Sequence, residues 1–223
     1  MDADFVQTLL LTARLAAATT IILLAVGLPA AYTLAYTRQR IKVVFEALIC
    51  MPMVLPPTVL GYYLLVAFSP QNFFGSWLEQ AFDVRLAFSF GGILVASLIA
   101  GLPFMIQPLQ NGFAALPDSL REAAYTLGKS KSETFFRVLL PNIKHSVITG
   151  IALTFAHCIG EFGIVLMVGG NIAGETRIAS IAIYDEVQTL NYAAANRYSL
   201  ILFAVSFVLL VLIYSLKKSN DKN

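Results

Sequence analysis

Five long apolar stretches run through the chain, at about residues 8–36, 45–68, 88–109, 146–168 and 198–216. Each reaches, or nearly reaches with its flanks, the roughly 20 mainly apolar residues that a helix needs to cross a bilayer. A charged island, residues 113–144, separates the third stretch from the fourth. Within it, helix formers run over 119–127, after Pro117 and with Asp118 or Ser119 as candidate caps. Gly128 ends or bends that helix. A second short amphipathic helix is expected over 131–140, with Phe135, Val138 and Leu139 on one side and Pro141 closing it. The small Ala123 and Ala124 invite close approach by another body.

Several apolar stretches carry helix breakers. Pro29 sits late in the first, and Gly101, Pro103 and Pro108 in the third. The second contains Pro52, Pro56 and Pro57, followed by Gly61, Tyr62 and Tyr63. The Pro56-Pro57 pair removes two donors and drives residue 55 toward an extended conformation. Lipid cannot satisfy the freed carbonyls, so this break is expected to face protein or a water-lined path, or else to be a kink that improves packing. Gln107 and Gln110 can bond freed backbone groups or water. The fourth stretch places Glu161 between Gly160 and Gly163, four residues after His157. A carboxylate there is costly unless paired, protonated or wet. It is expected to hold helix ends or a dimer seam where a pathway opens; the plainer alternative is a satisfied buried acid. His157 is expected to face a pore or to be packed. One His and one Glu are too few for a metal site.

Composition narrows the class. The chain is 58% hydrophobic and only 13% charged, against about 25% charged for soluble domains. It therefore reads as an all-α membrane protein of one domain, residues 1–223. Cys50 and Cys158 fall inside apolar runs and read as buried thiols. The acidic start and long first run predict a retained helix rather than a cleaved signal. No basic stripe with interleaved aromatics points to nucleic acid. With the N-terminus outside, all but Arg14, Arg85, Arg177 and Arg197 of the 15 lysines and arginines fall on the inner side. These include Arg38, Arg40 and Lys42, the island's basic residues, and Lys217, Lys218 and Lys222. Five transmembrane helices, N-out and C-in, satisfy the positive-inside rule and put the island in the cytoplasm. Phe73, Phe74 and Trp77, between the second and third spans, then form an aromatic anchor outside. Arg14 lies about one turn inside the outer end of the first span and can snorkel.

Glu122-Ala123-Ala124, Gly128 and Val138-x-Leu140-Pro141 together resemble the EAA signature of ABC importer permeases. The strings MPMVLPPTVLGYY (51–63), GEFG (160–163) and NIAGETR (171–177) extend that likeness to permease subunits of molybdate ABC importers, the ModB type. The sequence departs from that pattern at Met51 and His157. The resemblance implies a type I importer (MetI-like) permease fold in the cytoplasmic membrane, with a cytoplasmic coupling helix. It assigns Ser119, Arg121, Glu122, Ala123, Ala124, Gly128, Leu140 and Pro141 to coupling with an ATPase. Pro56, Pro57, Gly61, Gly160, Glu161 and Gly163 become candidates for the pathway and its gate. Gly174, Glu175, Thr176 and Arg177 become candidates for docking a binding protein; on their residues alone they can equally form a turn in which Glu175 pairs with Arg177. A short helix over 178–190 is expected to follow at the outer surface.

The implied partners are a second copy of the chain, two cytoplasmic ABC ATPase subunits, an extracytoplasmic oxyanion-binding protein and membrane lipid. The implied cargo is a tetrahedral oxyanion, molybdate first, with sulfate or tungstate as alternatives. No phosphate-binding GxxxxGK[ST] loop occurs, so ATP and Mg would sit on the ATPase subunits, and no cofactor or enzymatic activity is expected of this chain. Two other classes stand beside this one: an ion-coupled secondary carrier, which needs no coupling loop, and a membrane scaffold that moves nothing, which gains little from broken helices.

Overall fold

In the computed structural model, which describes residues 3–220, every regular element is helical. Lys222 lies outside the described residues, as do the side chains of Lys217 and Lys218. The centre of the fold is a parallel pair, α1 (Ala3–Tyr36) and α5 (Phe90–Ala114). Small residues make this pairing close. A Cβ on Gly27 of α1 would lie 3.0 Å from Met105 Cγ, and one on Gly101 of α5 2.8 Å from Leu23 Cδ1, so each helix seats a large side chain of the other against a glycine. Thr12 and Thr20 donate to the carbonyls of Thr8 and Ala16 at 2.7 Å, which satisfies buried hydroxyls inside α1 itself. Leu11, Leu15 and Ile93 fill one end of the pair, and Leu34, Leu109 and Phe113 the other.

The second apolar stretch is two helices, α2 (Lys42–Val54) and α3 (Pro57–Phe68), whose axes turn by 110°. Leu55, at φ −70° and ψ 138°, is extended as the following proline dictates. The amphipathic α4 (Phe73–Phe82) follows, where the sequence suggested an aromatic loop. After α5 come two short helices, α6 (Asp118–Thr126) and α7 (Lys131–Asn142). The fourth stretch is likewise divided. Helix α8 (Lys144–Gly160) meets α7 at 74° and ends at Glu161, which is extended; α9 (Gly163–Gly169) then resumes. Helix α10 (Ala179–Gln188) lies within the span expected for an outer helix, and α11 (Tyr192–Asn220) closes the fold. Three of these helices are long and apolar enough to cross a membrane, or up to five spans form if each bent pair counts as one.

Glycines set the closest approach in the broken region. A Cβ on Gly61 of α3 would lie 2.9 Å from Met167 Cβ and 3.1 Å from Ile164 Cα of α9. A Cβ on Gly163 would lie 3.0 Å from that of Pro57. Leucine at Gly61 is therefore expected to overpack this contact by about 1–3 kcal/mol. Gly61→Leu should lower the thermal unfolding midpoint of the purified protein in detergent, and Gly61→Ala should lower it less. Equal midpoints for all three would mean that α3 and α9 do not touch there.

Candidate functional site: a hairpin, a cavity at broken helices, and a braced far end

The α6–α7 hairpin is built on local chemistry. Pro117 is extended at the start of α6, and neither Asp118 nor Ser119 caps the helix with a side-chain bond; this replaces the expected cap. Asp118 instead pairs with Arg121 at 3.0 Å within the first turn. At the other end Lys129 N–H bonds Ala124 O and Gly128 N–H bonds Tyr125 O, the two bonds of a Schellman stop. Gly128 adopts φ +75°, with nothing within 4 Å of where a Cβ would be, so backbone conformation rather than space demands glycine there. Ser130 and Glu133 then form a capping box that starts α7. The Ser130 N–H, then Lys129, hold the Glu133 carboxyl below its ordinary pKa. The charged cap is therefore present at neutral pH and weakens as pH falls through that lowered value. Pro141 does not close α7 at Leu140 as expected. The helix passes through a π-turn at Phe135–Leu139, with Leu140 N–H reaching Phe135 O, and continues to Asn142. The wider turn lets the chain accept a proline near its end.

Aromatic rings fasten the hairpin to the bundle. Tyr32 meets Phe113 at 5.5 Å and Phe135 at 5.3 Å, and Phe113 meets Phe135 at 5.8 Å. Tyr36 donates to Phe113 O at 3.2 Å, and the Arg121 guanidinium lies 4.3 Å from the Tyr36 ring. Of the expected coupling residues, Ser119, Glu122, Ala123, Gly128 and Pro141 are exposed. Ala124 is only 5% exposed and packs inward, so Ala123 alone offers a small outward side chain. Leu127, 79% exposed beside Gly128, is an apolar projection missed in the sequence. Leu140 is half-buried against the bundle.

The pathway candidates converge. A cavity of about 340 Å³ is lined by Pro57, Thr58, His157, Gly160, Glu161 and Gly163, among others. Glu161 Oε2 accepts from Ser97 Oγ at 2.6 Å, while its backbone carbonyl accepts from Ser180 Oγ at 2.5 Å. One residue at the helix break thus ties α5 and α10 together. Glu161 Oε1 and His157 Nε2 are buried without a protein partner among the described residues. The His157 ring stacks on Phe104, with centroids 4.0 Å apart. Phe104 borders a second cavity of about 410 Å³, with Met53, Gln107, Asn111 and Thr149. Gln107 and Gln110 do not bond freed backbone. They donate to Cys50 Sγ, at 2.9 Å, and to Glu46, tying α5 to α2. Ser97 and Ser180 were not found from sequence: a lone serine in an apolar run carries no local signal of its distant partner.

At the far end, Arg177 pairs with Asp185 at 2.9 Å and Asp4 at 3.6 Å. The alternative pairing with Glu175 does not form. Thr176 is buried; it donates to Gly169 O at 2.7 Å and accepts from Ile172 N at 2.9 Å. Gly174 and Glu175 are exposed. Thr12 of α1 accepts from the first N–H of α10 at 2.8 Å. Arg14 stacks on Phe90, 4.6 Å from its centroid.

Residues 15–219 match the model of one protein family, described as binding-protein-dependent transport system inner membrane components. The chain belongs to that family. It is a multi-pass component of the inner membrane, with the MetI-like fold of type I ABC importers. Among its relatives is the molybdenum transport system permease protein ModB of Azotobacter vinelandii, 43% identical over 93% of this chain and 92% of that protein. ModB of Haemophilus influenzae is 36% identical over 78% of this chain and 76% of its own length. The sulfate transport system permease protein CysT of Escherichia coli is 34% identical over 86% of this chain and 69% of its own. In fold, this inner membrane component matches a chain of the MetNI methionine ABC transporter in inward-facing conformations. The TM-score is 0.73 and the identity 15%, over 98% of this chain and 99% of that one. A chain of a bacterial ABC transporter involved in alginate import gives a TM-score of 0.79 at 15% identity, over 99% and 81%.

Removing the Ser97 hydroxyl leaves both Glu161 oxygens without a protein partner. Ser97→Ala is expected to cost about 1–3 kcal/mol. The double variant Ser97→Ala/Glu161→Leu should recover part of that loss, because it removes the buried acid as well. Thermal unfolding of the four proteins of this cycle checks the coupling; additive effects would mean that the bond contributes nothing.

Proposed function

We propose that this chain forms the translocation pathway of an ATP-driven importer for a tetrahedral oxyanion, molybdate. It acts as one permease domain of five spans, N-out and C-in, paired with a second copy. The α6–α7 hairpin sits in the cytoplasm and seats in a groove of each ABC ATPase subunit, where ATP and Mg are bound. The exposed turn around Gly174 and Glu175 receives an extracytoplasmic oxyanion-binding protein, with Thr176 and Arg177 holding its shape from within. The observation that carries the reading is the hairpin: Glu122, Ala123, Leu127 and Gly128 project from helices clamped to α1 and α5 by four aromatic rings. Such an arrangement passes force from a docked partner to membrane-crossing helices. Nucleotide-driven closure of the ATPases would move the clamped pair and switch the access of the pathway from one side to the other. The breaks at Pro56-Pro57 and Glu161 are the compliant points of that switch.

Molybdate is the cargo that the 43% likeness to a molybdenum transport permease supports. Sulfate is the second reading, on the 34% likeness to a sulfate permease. Uptake of radiolabelled molybdate by vesicles containing the whole transporter, with tungstate and sulfate as competitors, decides between them. Molybdate uptake should persist in excess sulfate and fall with tungstate; loss to sulfate alone would favour the second reading.

Coupling has its own test. Gly128→Val places a branched side chain at φ +75°, which costs roughly 1–2 kcal/mol of local conformation. Together with Glu122→Lys, it should reduce uptake more than tenfold while leaving the permease dimer assembled and ATP hydrolysis no longer stimulated by the loaded binding protein. Normal uptake and normal stimulated hydrolysis in both variants would remove the hairpin from the coupling path.

A further inference from the structure

A groove of about 570 Å³ runs between α1 and α7, lined by Leu28, Pro29 and Thr33 on one wall and Lys131, Ser132 and Phe136 on the other. Its two walls differ in character. On α1 the exposed residues Ile22, Ala25, Val26, Pro29 and Thr33 recur at helical spacing, so a single apolar stripe leads from the membrane belt into the groove. Facing this stripe, on α7, stand the Lys131 ammonium and the Ser132 hydroxyl. Lys129, Arg137 and Arg121 all have acidic partners, the first two sharing Glu133. Lys131, among the described residues, has none. Beside it, Phe136 is 64% exposed on the same helix.

We propose that this groove binds an anionic phospholipid. One acyl chain lies along the stripe from Ile22 to Pro29 under the Phe136 ring, and the headgroup phosphate meets Lys131 and Ser132. Two observations favour a lipid over a soluble partner. The apolar wall belongs to a membrane-crossing helix and is continuous with its lipid-level surface, and the unpaired charge stands on the wall that faces it. An amphiphile with a negative head matches this pairing of an apolar wall with a cationic one. The occupant would wedge the hairpin against α1 at Tyr32 and Phe135, the rings that join the two. The lipid composition of the leaflet would then bear on coupling.

The test uses the whole transporter, purified and titrated with phosphatidylglycerol or phosphatidylcholine, with bound lipid counted by native mass spectrometry. The intact protein should retain phosphatidylglycerol preferentially. Lys131→Gln should weaken that retention about fivefold, the equivalent of the ~1 kcal/mol a lysine contributes near an anionic surface. Lys131→Arg should preserve it. Ala25→Trp, which fills the groove without changing charge, should weaken retention of both lipids. Equal retention of the two lipids by the intact protein overturns the proposal, and so does unchanged retention in Lys131→Gln or in Ala25→Trp. Photo-crosslinking from position 136 supplies an independent reading: labelled lipid supports the site, and a crosslink to the second copy overturns it.

Discussion

The packing of Tyr32 and Tyr36 against Phe113 and Phe135 is the contact on which the hairpin depends. Helix α6 has nine residues. Helices that short are marginal in water, so their order must come from what they pack against. Phe113 is completely buried, and it belongs to α5; Tyr32 and Tyr36 belong to α1. Arg121 adds a cation over the Tyr36 ring while staying paired with Asp118. These contacts are apolar and many-sided. A displacement of α6 therefore shifts both central helices instead of breaking one bond. A single salt bridge could not do this, because at an exposed surface it contributes little.

The broken helices have the opposite character. In a continuous helix each proline would cost about 3 kcal/mol, and a charged side chain at mid-membrane roughly as much. Here both features cluster at one place. Pro57, directly after Pro56, faces Gly163, and Glu161 sits at the end of α8 beside it. Their costs are partly offset by directional bonds: Ser97 to the Glu161 side chain, Ser180 to its backbone. Directional bonds can be exchanged one at a time, and cavities next to them leave room for movement. The molecule thus combines a hairpin end clamped by aromatic rings with a middle held by exchangeable directional bonds.

Much of this was legible along the chain. Charge and hydropathy located the hairpin, and Gly128 marked its corner, because a positive φ at a helix stop selects glycine. The extended Leu55 followed from the proline after it. The Ser130-x-x-Glu133 spacing is also the sequence signature of the capping box that starts α7. Other features were out of reach. Whether Ala123 or Ala124 faces outward depends on how α6 is rotated on the aromatic cluster. Gln107 and Gln110 looked like candidates for water or freed carbonyls, yet their partners are Cys50 and Glu46, on a helix whose position no local pattern gives. Arg177 bypasses Glu175, two residues away, for Asp4 and Asp185, because the turn at Thr176 is fixed from inside by its hydroxyl. Sequence spacing proposes pairs; the fold chooses among them.

Helix α1 links these regions. Its 34 residues extend over roughly 50 Å at 1.5 Å per residue. At one end Asp4 meets Arg177, and Thr12 caps the start of α10. At the other, Tyr32 and Tyr36 hold the hairpin. Between them α1 is packed along α5 through interlocked apolar side chains, with Met105 seated on Gly27 and Leu23 on Gly101, a contact that resists shear because neither helix can slide without overlap. A force applied at the hairpin must therefore reach the far end largely through this pair moving as one body. The strain then falls on what is attached to the pair by fewer contacts. Helices α2, α3 and α9 fit that description, for they join α5 at Gln107, Gln110 and a few apolar side chains. The position of the proline and glutamate breaks in just these segments is what a rigid lever beside a flexible wall requires.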